Sequence, residues 1–395
     1  MKCLVLSDTF PNRLEPWRGP YNRRQFECLA DHCSVEVVDP LPWPKLLQGT
    51  CYWSLPGKID SVLPGIKICH PVFWYLPLAG RSQSWRGVLR AARKALRKRL
   101  QSSYDIVVST FAYPHGLAAK YLAQELEIPY AVKVRGSDLH SLPKTGKRRC
   151  RTAEAIRDAA AVVAVSSNLA DIATNLGCPA ERVHVLPNGV DADRFRMIPR
   201  MQARATLGIE ASEKLLLFVG SLRPVKGLDT LIDAFEKLTG HPEIGQSVHL
   251  AIAGDGPLRK WLESQVSRRD LEERIRLLGT LSREDVCLWM NAADTVVLPS
   301  RNEGCPNVVL ESLSCGTPVV ASRVGAVPDL LDETCGIQVQ PGDSVLLSEA
   351  IAVVLGKSWE PIDIHGKVRN QSWQLNSRKF YRILCACTSP NTSTL

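Results

Sequence analysis

The stretch Glu303-Gly304-Cys305-Pro306-Asn307-Val308-Val309-Leu310-Glu311 sets two carboxylates eight positions apart around a Gly/Pro-containing turn. Before it stands Asp294-Thr295-Val296-Val297-Leu298-Pro299-Ser300, an apolar β-branched run that ends at a proline. After it comes Gly316-Thr317-Pro318-Val319-Val320-Ala321, which reads as a helix stop and the next strand. The spacing predicts a helix from Asn307, with Glu303 on the loop that feeds its N-terminus and Glu311 about one turn inside. Such a crossover lies at the carboxyl end of a parallel strand, where open α/β sheets bind ligands. The first-turn N–H groups, around Asn307 to Val309, suit an anion such as a diphosphate. The two glutamates can hold separate hydroxyl clusters of one polyol, and an anion with two hydroxyl clusters describes a nucleotide sugar. Paired glutamates are also common on a solvated helix face, so the strand-turn-helix context is what favours a site.

Outward from this stretch, strands and helices alternate. Strand candidates in the first half are Cys3 to Leu6, Ser34 to Val38, Asp105 to Ser109, Tyr130 to Val134, Ala161 to Val165 and Arg182 to Leu186. A polar stretch follows Asn188-Gly189-Val190-Asp191 to about Gln202, and alternation restarts with Leu215 to Val219, Val248 to Ala253, Ile275 to Leu278, Thr295 to Leu298 and Pro318 to Ala321. This pattern implies an α/β protein with mainly parallel sheets covered on both faces. A length of 395 residues exceeds what one core usually serves. Two Rossmann-like domains are expected, at 1–190 and 200–365, joined by a linker near 188–202. The tail from about 371 to 387 reads as an amphipathic helix, and residues 388–395 as a frayed end.

The chain resembles a family 4 retaining glycosyltransferase of the two-Rossmann-domain (GT-B) type over most of its length. The matching pieces stand in the family's order: an N-terminal strand and a glycine loop through Gly19, then Pro187-Asn188-Gly189-Val190-Asp191 with Phe195, then Val219-Gly220-Ser221-Leu222-Arg223-Pro224-Val225-Lys226-Gly227, then Gly254-Asp255-Gly256-Pro257-Leu258, and the glutamate pair. The wording Val134-Arg135-Gly136-Ser137-Asp138 is most similar to the branch that builds cell-surface polysaccharides, teichuronic-acid-type transferases among them. The resemblance implies two domains facing across a cleft, with the C-terminal helix crossing back onto the N-terminal, acceptor-side domain.

It also implies roles. Lys226 and Arg223 would stabilise the leaving diphosphate. Glu303 would bind hydroxyls on the far side of the donor hexose, and Glu311 the ribose. Gly19, Ser221, Gly304, Cys305, Pro306, Asn307 and Val308 would complete the donor site. Ser221 stands where the family usually has an arginine, and Arg135 where many members carry histidine beside the reacting sugar, so a guanidinium takes that place here. His115, Ser137 and Asp138 would reach the sugar or the acceptor. Each has a plainer reading: Arg223 and Lys226 as a solvated loop, Gly19 as a turn, His115 as a cap. Retention by front-face attack, without a metal ion or cofactor, follows from the family.

The formal net charge of +9 suits an anionic partner without naming it. A nucleoside diphosphate sugar and a lipid-linked or glycan acceptor are the expected partners. Nucleic acid is disfavoured because no recognised nucleic-acid motif accompanies the basic segments. No stretch approaches the roughly 18 to 20 apolar residues of a spanning helix. Met1 to Ser7 reads as a core strand rather than a secretory leader. Thirteen cysteines in no regular framework fit reduced thiols in a cytoplasmic protein. Segment 81–99 interleaves Arg81, Arg86, Arg90, Arg93, Lys94, Arg97, Lys98 and Arg99 with Trp85, Val88, Leu89, Ala92 and Leu96. It reads either as a basic amphipathic helix resting on the inner face of an anionic membrane or as a helix with its apolar stripe in the core. Aromatic segments Trp43 to Trp53 and Val72 to Pro77 either line an acceptor cleft or bury locally. The alternative to an enzyme is a non-catalytic nucleotide-sugar or lipid-binding module on the same scaffold.

Overall fold

The computed structural model describes residues 1–12, 15, 18–43, 63, 65–74, 81–97, 103–143 and 145–389. Trp17, most of the Trp43 to Trp53 segment, Tyr75 to Pro77, Lys98 and Arg99, the side chain of Arg81 and the tail from 390 lie outside the described residues. The chain divides into two compact units, Met1–Asn188 with Trp373–Leu395, and Gly189–Ser372.

The first unit holds β1 (Lys2–Leu6), β2 (Ser34–Val38), β3 (Leu41–Pro42), β4 (Ile66–Cys69), β5 (Val72–Phe73), β6 (Ile106–Ser109), β7 (Tyr130–Val134), β8 (Ala161–Ala164) and β9 (Val183–Val185). Apart from β3 and β5, which pair with each other, they form one parallel sheet in the order β4-β2-β1-β6-β7-β8-β9. The central strands are continuous Val/Ile/Ala runs, and β6, β7 and β8 are buried along their whole length, as a sheet sandwiched between helices requires. Strand order reverses between β1 and β6, so the loops after these two strands part and leave a crevice at the carboxyl edge.

The helix Trp373–Thr388, last in the chain, belongs to this first unit. Its apolar face sends Phe380 and Leu384 into the core beside Phe26, Leu29 and Val108, each such burial contributing about 2 kcal/mol. Trp373 stacks on Tyr21 of the helix Pro20–Ala30, and Ser377 Oγ donates to the Gln25 carbonyl at 3.0 Å.

The second unit holds β10 (Lys214–Val219), β11 (Val248–Ala253), β12 (Ile275–Gly279), β13 (Thr295–Leu298), β14 (Val319–Ser322) and β15 (Gly336–Val339), in the parallel order β12-β11-β10-β13-β14-β15. This is the doubly wound dinucleotide-fold order, with its reversal between β10 and β13. Leu216, Phe218, Leu231, Phe235, Leu250, Ile252 and Ile351 form its core. Arg204, 3% exposed, ties the unit's entry together: it donates to Asp294 Oδ2 at 2.7 Å and to the carbonyls of Ala292, Glu210, Ala211 and Glu213.

Two differences from the sequence-based expectation have plain causes, and one open alternative is decided. Strands β4 and β15 sit at sheet edges, and their short runs Ile66-Lys67-Ile68-Cys69 and Gly336-Ile337-Gln338-Val339 are interrupted by polar residues. The irregular stretch ends early, because helix Arg200–Leu207 starts directly after Pro199. In the helix Ser84–Leu96, Trp85, Val88, Leu89, Ala92 and Leu96 are buried and Trp85 stacks on Tyr121 at 4.7 Å, so the apolar stripe belongs to the core. Arg86, Arg90, Arg93, Lys94 and Arg97 form its solvent face. Among the described residues no helix is long and apolar enough to cross a membrane, and the twelve described cysteines are free thiols.

Candidate functional site

In the second unit the loop after β10 and the loop after β13 flank the reversal of strand order, and their side chains meet. The short 3₁₀ turn Pro224–Lys226 presents Lys226, whose Nζ donates to Glu303 Oε1 at 2.5 Å. The Ser300 hydroxyl donates to the same oxygen at 2.7 Å. Arg301 fastens the two loops: its backbone N–H donates to the Val225 carbonyl at 2.8 Å and its Nη1 to the Pro224 carbonyl at 2.7 Å, while its Nη2 pairs with Asp229. Glu303 is thus aimed by a lysine, a serine and a clamped backbone, with side-chain exposures of 20% for Lys226 and 12% for Glu303.

The loop bearing Glu303 rests on Gly325. A Cβ there would lie 2.4 Å from the Glu303 carbonyl oxygen, and φ is +57°, so only glycine fits without strain. Next to it the Ala326 N–H donates to the Gly304 carbonyl at 2.8 Å. The helix Asn307–Ser314 then begins after Pro306, with no side-chain cap and no acid in its first turn. Its apolar residues Val309, Leu310 and Leu313 are buried, which fixes the axis. Asn307 and Val308 are half-buried, Cys305 and Pro306 buried, and Glu311 is 8% exposed one turn in. Ser221 and Arg223 are exposed at the start of the turn that carries Lys226. The arrangement offers an anion a helix N-terminus and an ammonium, with carboxylates on the loop before the helix and inside it.

The first unit gathers its sequence-predicted residues at the carboxyl ends of β1, β6 and β7. Gly19, at φ +60° with a would-be Cβ 2.5 Å from the Thr9 carbonyl oxygen, starts the helix Pro20–Ala30. Asn22 on that helix donates through Nδ2 to the Thr9 carbonyl at 2.8 Å and accepts from Arg135 Nη1 at 2.6 Å. The Gly19 loop and Arg135 are therefore one assembly, joined through a residue that no local motif singles out.

Asp138 differs from the expected sugar or acceptor contact. It is 1% exposed, and its carboxylate accepts from the backbone N–H groups of Arg135 at 3.1 Å, Gly136 at 2.9 Å and Ala112 at 3.3 Å. Burial pushes its pKa up against the pull of these bonds. Its observed work is to hold the Arg135 loop, while Ser137 beside it is exposed. His115 is 6% exposed, and burial lowers its pKa. Ser300, Arg301 and Gly325 escape a sequence reading, since serine and arginine in a loop carry no spacing signal; the Val324-Gly325 step after β14 is the one local hint of a special backbone. Among the described residues no group of three or more His, Cys, Asp or Glu side chains is placed to hold a metal ion.

Two Rossmann-like units, each with polar loops at its strand-order reversal, define the GT-B class of α/β transferase. The family described as "Glycosyl transferases group 1" matches residues 213–357, and "Glycosyltransferase Family 4" matches residues 29–194. The D-inositol 3-phosphate glycosyltransferase of Xylanimonas cellulosilytica is 30% identical over 328 residues, 76% of this chain and 76% of that protein. TuaC of Bacillus subtilis, a glycosyltransferase provisionally assigned to teichuronic acid biosynthesis, is 27% identical over 360 residues, 89% of this chain and 88% of its own. Among solved structures, Anabaena HepE in complex with UDP superposes with a TM-score of 0.73 at 20% identity, covering 98% of this chain and 100% of that one, a likeness of fold. The chain belongs to glycosyltransferase family 4.

Proposed function

We propose that the protein transfers a sugar from a nucleoside diphosphate sugar, with retention and without a metal ion, to a lipid-linked or glycan acceptor in cell-surface glycan biosynthesis. The observation that carries this reading is the contact of Lys226 with Glu303 across the β10/β13 reversal, directly before a helix N-terminus. HepE, solved with UDP, and TuaC, provisionally assigned to teichuronic acid biosynthesis, are similar proteins whose names agree with such a donor and product.

In this reading the second unit binds the donor. The diphosphate sits at the first turn of helix Asn307–Ser314 and draws the Lys226 ammonium. Glu303, released from part of that pairing, turns its carboxylate to hexose hydroxyls, and Glu311 takes the ribose. As the anomeric bond breaks, negative charge grows on the leaving diphosphate, and Lys226, Arg223 and the helix N–H groups stabilise it where a metal ion would otherwise be used. Gly304 to Val308 line the phosphates and sugar with backbone, and Arg135, steadied by Asn22, is the guanidinium that the first unit offers to a sugar.

The test is a panel of nucleotide sugars measured for protection against thermal unfolding. One donor should raise Tm well above the others, and its diphosphate nucleoside alone should recover part of the shift. Protection by none of the panel would sink the donor site.

A further inference from the structure

We propose that Cys287 and Cys315 form a reversible oxidation site, which a peroxide closes to a disulfide, and that closure displaces the helix at the head of the donor site. The consequence for the donor rests on the transfer reaction above; the thiol pair itself does not.

The two sulfurs come from different elements. Cys287 lies in the helix Arg283–Ala292, and Cys315 directly follows the helix Asn307–Ser314. Their Sγ atoms are 3.9 Å apart and must approach by about 1.8 Å more to bond. Both residues are 3% exposed, so a small uncharged oxidant such as hydrogen peroxide has the best access to them and a bulky disulfide the worst.

Desolvation raises the thiols of Cys3, Cys33, Cys178, Cys335 and Cys387, which makes them poor nucleophiles. Cys287 goes the other way. A hydrogen bond from Cys315, helped by Arg196 and Asn291, brings its pKa down to about 6 against the effect of burial. Asn291 Nδ2 lies 3.5 Å from the Cys287 sulfur and is fixed by donating to the Cys287 carbonyl at 2.8 Å and the Arg196 carbonyl at 3.0 Å. That Arg196 carbonyl, 3.7 Å from the same sulfur, is therefore already served by an amide. The contact with Cys287 raises Cys315, and burial and the Glu311 charge raise it further. The shared proton stays with Cys315, which leaves a thiolate beside a resolving thiol, as in peroxide-sensing cysteines.

The chemistry takes two steps. The Cys287 thiolate attacks one peroxide oxygen, the O–O bond breaks, and the departing hydroxide becomes water with the proton that Cys287 had released. Cys287 now carries a sulfenic hydroxyl. The Cys315 sulfur attacks the Cys287 sulfur, the S–O bond breaks, and hydroxide leaves as water with the Cys315 proton. Two thiols lose two electrons, and the peroxide is reduced to two waters.

Position couples this site to the donor helix. The Cys315 N–H donates to the Glu311 carbonyl at 3.1 Å, so Glu311 and Cys315 bound the helix's last turn. Eight residues span roughly 12 Å, a short rod whose other end is Asn307. In the reduced state that rod is fixed from the same side, by Ser314 Oγ donating to the Phe195 carbonyl at 2.5 Å and Thr317 Oγ1 to the Met290 carbonyl at 2.7 Å. Drawing the two sulfurs together strains these ties and shifts Glu311 and the first-turn N–H groups.

The test is mass spectrometry of the full chain after treatment with hydrogen peroxide. The peptides bearing Cys287 and Cys315 should be joined with loss of two hydrogens, and dithiothreitol should part them. Cys315→Ser should stop at one added oxygen on Cys287, and Cys287→Ser should give neither product. Thermal protection by the best nucleoside diphosphate of the panel above is read on the same samples. It should fall by about half or more in the oxidised parent, return with dithiothreitol, and stay unchanged in peroxide-treated Cys287→Ser. Peptides that remain separate, or a link that bypasses either cysteine, would overturn the oxidation site. A link that leaves protection intact would overturn its coupling to the donor helix. Reduced protein that no nucleotide protects counts against the donor site alone. Amide hydrogen exchange across residues 307–314 then decides the coupling: a changed rate on oxidation supports it and an unchanged rate overturns it.

Discussion

Lys226 and Glu303, seventy-seven positions apart in the chain, meet at 2.5 Å where the loops after β10 and β13 cross. The cation proposed for a diphosphate and the carboxylate proposed for a sugar thus hold each other in place. Truncating the lysine separates its two contributions. Lys226→Ala should lower kcat about a hundredfold or more, because its charge matters most as the leaving group departs, while stability falls by only about 1 kcal/mol for a partly exposed pair. Steady-state kinetics showing a raised KM with kcat preserved would remove Lys226 from the chemical step.

Glu311→Ala should weaken nucleotide-sugar binding by about 1.5 to 3 kcal/mol through loss of a charge-assisted contact to the ribose. Calorimetry on the folded variant reads this directly, and unchanged affinity would reassign Glu311 to helix packing, which its burial alone would also allow.

Gly325 touches no expected ligand group, yet Gly325→Ala should be damaging. The added Cβ would meet the Glu303 and Gly304 carbonyls at 2.4 and 2.6 Å in a left-handed backbone. A stability loss of about 1 to 3 kcal/mol is expected, together with a fall in turnover larger than the loss of folded protein, since the Glu303 loop must shift. A variant with wild-type kcat would show that the loop's position is not critical.

Activity should survive a strong chelator if, as proposed, helix N–H groups, Lys226 and Arg223 take the role of a divalent cation. Turnover abolished by EDTA and restored by Mg²⁺ or Mn²⁺ would overturn this phosphate site.

The basic face of helix Ser84–Leu96 is exposed while its apolar face is committed to the core. Any membrane attraction must then be electrostatic. Replacing Arg86, Arg90, Lys94 and Arg97 with alanine should abolish cosedimentation with anionic vesicles, each charge contributing about 1 kcal/mol near the surface, and salt should mimic the change. A parent protein that stays in the supernatant at low salt would end the idea.

Short windows of sequence carry the local elements. Continuous Val/Ile runs between turn residues marked nearly every central strand, Pro306 before an apolar period marked the helix at Asn307, and five short motifs in family order marked the kind of enzyme. The strand and helix signals are local preferences of backbone or turn, readable without knowing any distant contact, whereas the kind of enzyme came from resemblance to a family.

Which loops adjoin, and which charges remain available, emerges from the three-dimensional packing. Strand order puts β13 beside β10 and β6 beside β1, and that sheet order brings Lys226 to Glu303 and Asn22 to Arg135. It also gave Asp138 to three backbone N–H groups and set the apolar stripe of helix Ser84–Leu96 in the core rather than on a membrane. The reason is physical: hydrogen-bond satisfaction and burial are properties of neighbours in space, and a doubly wound sheet makes neighbours of residues that the chain keeps far apart.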